Sequence, residues 1–144
     1  MDGPRAIVVG VDGSTSSMRA GAYAVGLARR QRCRLVAVYV RGLPSPLLPL
    51  ADTGGSATAT IIATQDTVER ELRSTFERQV PLLNIDASLV IRTGEPYTEL
   101  LEVAKQVRAD AVIVGQSTQT LHRIAGSLGI KLVRCGRWPV TVVP

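Results

Sequence analysis

Aromatic side chains are scarce in this chain: one Trp, one Phe and three Tyr make up 3% of the residues. Any core must therefore be aliphatic, and base-stacking surfaces of the RRM or OB type are not expected. Histidine occurs once, as His122, and cysteine twice, as Cys33 and Cys135. These residues lack metal-ligand spacing, which argues against a zinc site. Both cysteines sit in apolar-periodic contexts and read as small core or near-surface residues. No apolar run approaches membrane-spanning length. The N-terminus, MDGPRAIVVG, lacks the basic-then-apolar order of a signal peptide. A soluble, cytoplasmic protein is expected, with no membrane partner. The Walker pattern GxxxxGK[ST] and the dinucleotide pattern GxGxxG are both missing. Paired carboxylates, a Cys/His pair and a GxSxG elbow are missing too. His122 has no evident acid or nucleophile beside it, so the sequence gives little support for an enzyme.

What is present suits one globular domain spanning residues 1–144, with 45% hydrophobic and 20% charged residues. Net charge is +5. The arginines are scattered from Arg5 to Arg134 with no dense block, so they read as solvated helix faces. A nucleic-acid partner, which needs clustered basic charge, is not expected. Attraction for a polyphosphate ligand is another use for such charge.

The stretch Ala6 to Val11 is continuously apolar and of strand length, which suits a strand buried on both faces of a parallel sheet. Turn chemistry follows in Asp12-Gly13-Ser14-Thr15-Ser16-Ser17, leading into a helix to about Arg30. Ala20, Ala24, Leu27 and Ala28 form its narrow apolar face. Arg34 to Val40 is a second strand. Gly42 to Gly55 carries Pro44, Pro46 and Pro49 and reads as a long surface loop. Ala57 to Ala63 is ambiguous, and a charged helix is expected from about Thr64 to Val80. Ala87 to Arg92 is a third strand. Pro96 suits a first helical position, and Leu100, Val103, Ala104 and Val107 form the inner face of the helix it opens. Ala111 to Val114 is a fourth strand, Leu128 to Cys135 a short helix, and Val140 to Val143 a fifth strand. Strands alternating with helices predict an α/β fold, a doubly wound parallel sheet. In such sheets ligands bind beyond the carboxyl ends of the strands, near the point where strand order reverses. Asp12, Val40 and Gly115 fall on that rim.

Two readings stand for each candidate there. Asp12 serves either as a ligand-orienting carboxylate or as part of a helix cap. Gly126-Ser127 places backbone amides and a hydroxyl either against phosphate or in an ordinary helix start. The sequence VDGSTSS differs from the SGGxDS loop of nucleotide alpha-hydrolases with ATP-pyrophosphatase activity.

Nearly the whole chain resembles the universal stress protein family. The resemblance is carried by IVVGVDGSTSS, GLARRQRCRLVAVYV, TGEPYTELLEVAKQVRADAVIVG and GSLGIKLVRCGRWPVTVVP. It implies five parallel strands in the order 3-2-1-4-5, with helices on both faces. It also implies a homodimer through the terminal strand Val140 to Val143, whose β-branched residues suit an edge that pairs. The ATP-binding branch of the family carries G-x-x-G-x9-G-[ST]. Gly115 matches the first glycine and Gly126-Ser127 the last pair, while Thr118 stands at the second glycine. Only seven residues, Gln119 to Ala125, fill the interval. By the same resemblance Asp12 meets the adenine side and Val40 reads adenine through its backbone. Gly13, Gln116 and Leu128 complete the expected contact set. The implied ligand is ATP or another adenine nucleotide, with Mg or Mn as an accompanying ion, in a stress-response regulator. The alternative is a nucleotide-independent interaction or chaperone-like member of the family, with the Gly42–Gly55 loop as a surface for a protein partner.

Overall fold

The computed structural model describes residues 5–43, 55–116 and 128–144. Their elements run β1 Ala6–Gly10, α1 Thr15–Gln31, β2 Arg34–Arg41, α2 Ser56–Leu83, β3 Ala87–Thr93, α3 Pro96–Gln106, β4 Ala109–Gly115, α4 Leu128–Cys135 and β5 Val140–Val143. The five strands form one sheet in the order β3-β2-β1-β4-β5. Every neighbouring pair is parallel, with Val8 opposite Val36 on one side and Val112 on the other. The fold class and strand order are those expected from the sequence.

Double burial explains the apolar runs. Along β1 the side chains alternate between two cores. Ala6 and Val8 join Val36, Val38, Val112 and Val114 beneath α3 and α4, where Leu100, Val103, Ala104 and Leu132 close the layer. Ile7 and Val9 join Leu35, Ala37 and Ile113 beneath α1, whose Ala20, Ala24 and Ala28 are fully buried. A strand covered on both faces has no polar side, so its sequence does not alternate. The small alanine stripe lets α1 lie close on the sheet. Leu27, placed with that stripe by periodicity, is only partly buried at its edge.

The longest helix corrects the sequence reading. Residues 57–63, left ambiguous, and the segment up to Leu83 belong to one continuous α2. Threonines there satisfy their hydroxyls on the helix itself: Thr60, Thr64 and Thr67 each donate to the carbonyl four residues back, at 2.9, 2.9 and 3.0 Å. This bonding lets polar residues occupy helix interior positions. Pro81, where the helix was expected to have ended, is accommodated in the last turn, with Asn84 in the left-handed region as C-cap. The Arg29 guanidinium donates to the Leu83 carbonyl at 3.3 Å, supplying a partner for a helix-end acceptor. β4 also begins two residues earlier than expected, at Ala109, after Arg108 turns the chain at φ 53°. Among the described residues no helix is long and apolar enough to cross a membrane.

Candidate functional site

With β2 on one side of β1 and β4 on the other, the connections diverge at β1, and the crevice lies above the carboxyl ends of these strands. The loop from β1 to α1 is built by serines. Ser14 caps α1, its hydroxyl accepting from the Ser17 N–H at 3.2 Å. The Ser17 hydroxyl donates to the Ser14 carbonyl at 3.0 Å and accepts from the Asp12 N–H at 3.1 Å. Asp12 is not the cap: one of its carboxylate oxygens accepts from the Ser14 N–H at 2.9 Å, which orients the exposed carboxylate at the rim. Gly13 makes this turn possible at φ +83°, and a Cβ there would meet a Val68 methyl of α2 at 3.2 Å.

Gly115 is required by a different constraint. A Cβ on it would lie 2.5 Å from the Ser16 carbonyl carbon and 2.6 Å from the Ser17 nitrogen, both backbone atoms. The end of β4 therefore touches the first turn of α1 directly. The contact is fastened by the Ser16 hydroxyl, which donates to the Gln116 carbonyl at 2.8 Å. On its other side the Gln116 N–H donates to the Val143 carbonyl at 2.7 Å, tying the rim to β5.

Val40 reaches the crevice through its main chain. The Arg41 carbonyl accepts from the Gly94 N–H at 2.9 Å and so faces β3. Successive residues of a strand turn their main-chain groups in opposite directions, so those of Val40 face the side of β1. There the Val11 N–H donates to the Val38 carbonyl at 2.9 Å, just past the end of the strand. Asp12 and Gly13 follow the end of β1, Val40 lies near the end of the neighbouring β2, and Gly115 and Gln116 lie at the end of β4 on the other side. The Leu128 side chain packs against the core beneath α3 and α4. Thr118, Gly126 and Ser127 lie outside the described residues, as do His122 and most of the Gly42–Gly55 loop.

Sequence reasoning missed the far wall. The upper half of α2 is pinned over the rim: Arg41 pairs with Asp66 at 2.7 Å and with Glu69 at 3.4 Å, and Gln65 donates to the Gly42 carbonyl at 2.9 Å. Tyr39, near the end of β2, is 5% exposed. Burial pushes its phenol pKa up, Arg41 draws it down, and the carboxylates of Asp12, Glu69 and Asp66 push it up again. Its net position is above the ordinary value, so the hydroxyl is a donor at neutral pH. Among the described residues no group of three His, Cys, Asp or Glu side chains could hold a metal ion. A separate shallow groove lies at the β4–β5 edge, lined by Gln116, Gly129, Ile130, Val133, Arg134 and Val142.

The profile of the Universal stress protein family matches residues 4–144. The chain belongs to the universal stress protein family. A universal stress protein from Methanocaldococcus jannaschii is 25% identical over 139 residues, 95% of this chain and 80% of that protein. Two solved structures show the same fold at lower identity. The universal stress protein from Lactobacillus plantarum is 22% identical, covering 99% of this chain and 100% of its own, with a TM-score of 0.73. A universal stress family protein from Arabidopsis thaliana with AMP bound is 18% identical, covering 97% and 91%, with a TM-score of 0.67.

Proposed function

We propose that this universal stress protein is a cytoplasmic regulatory module that binds an adenine nucleotide, ATP or a relative, in the β1–β2 crevice. What supports the reading is the exposed Asp12 carboxylate just past the end of β1, next to the end of β2 where the Val40 main chain is turned to the β1 side. A carboxylate acceptor beside a main-chain donor and acceptor matches the hydrogen-bonding edge of an adenine nucleoside. Gly13 keeps the approach free of a side chain. Gly115, Gln116, Thr118, Gly126, Ser127 and the Leu128 main chain take the phosphate side, and a bound Mg or Mn would be carried by the phosphates. Family structures in complex with AMP, cAMP and dAMP support an adenine ligand for this fold. The expected role is binding rather than turnover.

Calorimetry with ATP, AMP and adenosine, with and without Mg²⁺ or Mn²⁺, tests the reading. Heat at micromolar to millimolar ligand is expected; none at millimolar concentration would leave the nucleotide-independent interaction protein as the better reading. Gly126→Val is expected to abolish ATP binding, and unchanged affinity would place phosphate elsewhere.

The same module is proposed to work as a homodimer through β5. β5 is an edge strand of the sheet. Val142 on this strand is 46% exposed, and Ile130 and Val133 of the neighbouring α4 are 46% and 58% exposed. Apolar residues along an unpaired edge suit pairing with a second copy. Light scattering is expected to give twice the 15.4 kDa chain mass; a monomer would overturn the dimer and leave the nucleotide reading standing.

A further inference from the structure

The end of the sheet opposite the crevice, where the parallel strands begin, gathers cations that lie far apart in the sequence. Arg34 opens β2, and its N–H donates to the Arg5 carbonyl at 3.0 Å, just before β1. Ala6 is paired with Arg34 on one side and on the other with Ala109, the residue after Arg108. Arg34, Arg5 and Arg108 therefore stand at the starts of three neighbouring strands, which lie about 5 Å apart. The ends of α1 and α3 add Arg32 on one face of the sheet and Lys105 on the other. All five are exposed. Asp110 is engaged by Arg5 at 3.2 Å. Among the described residues no carboxylate pairs with Arg32, Arg34, Lys105 or Arg108.

Two of these arginines occupy backbone that disfavours them. Arg32, the C-cap of α1, and Arg108, just past the end of α3, both sit at φ 53°. That left-handed region favours glycine at a helix end, so an arginine there places its charge at a conformational cost. Close to the cations an apolar side chain stands in solvent. Leu82, in the last turn of α2, is 83% exposed. That turn is joined to the last turn of α1 by the bond from Arg29 to the Leu83 carbonyl. Cations beside an exposed leucine select the partner. Arginine forks match carboxylates and phosphates alike. A nucleic-acid backbone leaves Leu82 in water, and no aromatic stands among these residues for a base to stack on. A bilayer surface calls for several large apolar side chains. A protein segment with acidic and apolar side chains satisfies both the arginines and the leucine.

We propose that this end of the sheet is a docking surface for an acidic segment of a partner protein. Carboxylates of the segment bind Arg32, Arg34, Lys105 and Arg108, and an apolar side chain covers Leu82. The crevice lies at the other ends of the strands, about 20 Å away along β2. The docking surface therefore stands whether or not a nucleotide binds.

The test is fluorescence anisotropy with three labelled probes: a peptide of alternating glutamate and leucine, an all-glutamate peptide and an RNA duplex. Co-sedimentation with phosphatidylserine vesicles runs beside it. At about 50 mM salt the mixed peptide is expected to bind more tightly than the all-glutamate peptide, and to weaken as salt rises to about 200 mM. Arg32→Gly combined with Arg108→Gly relieves both left-handed positions, so this protein is expected to fold as wild type does. It is expected to bind the mixed peptide about 10-fold more weakly. Leu82→Ser changes a side chain already in solvent. It is expected to weaken the mixed peptide about 5-fold and to leave the all-glutamate peptide unchanged. Equal affinity of either variant and wild type for the mixed peptide overturns the inference. So does tighter binding of the RNA duplex or the vesicles, and so does a mixed peptide that fails to bind at millimolar concentration. If the double glycine variant does not fold, Arg34→Gln combined with Lys105→Gln replaces it, with the same expected loss and the same overturning result.

Discussion

Replacing Gly115 with alanine adds one methyl group where the end of β4 meets the start of α1. Gly115 does not occupy the left-handed region that favours glycine, so the penalty is steric rather than conformational. The new carbon would lie 2.5 Å from the Ser16 carbonyl carbon, 2.6 Å from the Ser17 nitrogen and 2.7 Å from the Ser16 oxygen. Ordinary contact between such atoms begins about 1 Å further out. All three are backbone atoms of a helix whose alanine stripe is fully buried, so no side chain can rotate away. Either α1 or the end of β4 must shift by about 1 Å. Overpacking of that kind costs about 1–3 kcal/mol. The shift also stretches the 2.8 Å bond from the Ser16 hydroxyl to the Gln116 carbonyl, which contributes about 1 kcal/mol more. For a domain of this size the total lowers Tm by about 7–15 °C. Thermal unfolding followed by circular dichroism reads this directly. Gly21→Ala is the matched control, because a Cβ there meets nothing within 4 Å inside α1. It is expected to raise stability by about 0.5–1 kcal/mol through helix propensity. A Gly115→Ala protein melting within about 2 °C of wild type would refute the packing argument.

Gly13→Ala is expected to cost about 1–2 kcal/mol, because φ +83° is strained for a residue with a Cβ; chemical denaturation measures it. Leu100→Ala removes a side chain that is 1% exposed beneath the sheet and is expected to cost about 2–5 kcal/mol in the same assay. Glu95 caps α3, accepting from the Tyr97 N–H at 3.2 Å and the Thr98 N–H at 2.8 Å. Burial pushes its carboxyl pKa up, but the bonds from Thr98 and Tyr97 and the nearby Lys131 outweigh this and hold it below its ordinary value. A folded pKa below the unfolded one gives stability that is complete above the unfolded carboxylate value and lost as pH falls through the folded one. Glu95→Ala is therefore expected to cost about 1 kcal/mol at pH 7. The gap from wild type should shrink as pH drops below about 4, and a gap independent of pH would count against the capping role.

The sequence by itself determined the layers of this protein. Runs such as Ala6 to Val9 carry no polar alternation, and only a strand covered on both faces tolerates that. Their alternation with helical segments leaves a doubly wound parallel sheet as the natural solution. Asp12, Gly13 and Val40 were legible as rim residues because strand ends are local features. The tertiary structure decided what distant segments do to one another. It showed that Gly115 is glycine because the α1 backbone, about a hundred residues earlier, touches it. It joined residues 57–63 to one helix running through Pro81, anchored further along by Leu72 and Phe76. It also brought α2 over the rim, setting Val68 against Gly13 and pairing Asp66 and Glu69 with Arg41 at the end of β2. Spacing along the chain cannot encode that crevice, because its walls come from three elements whose approach is fixed only when both cores close.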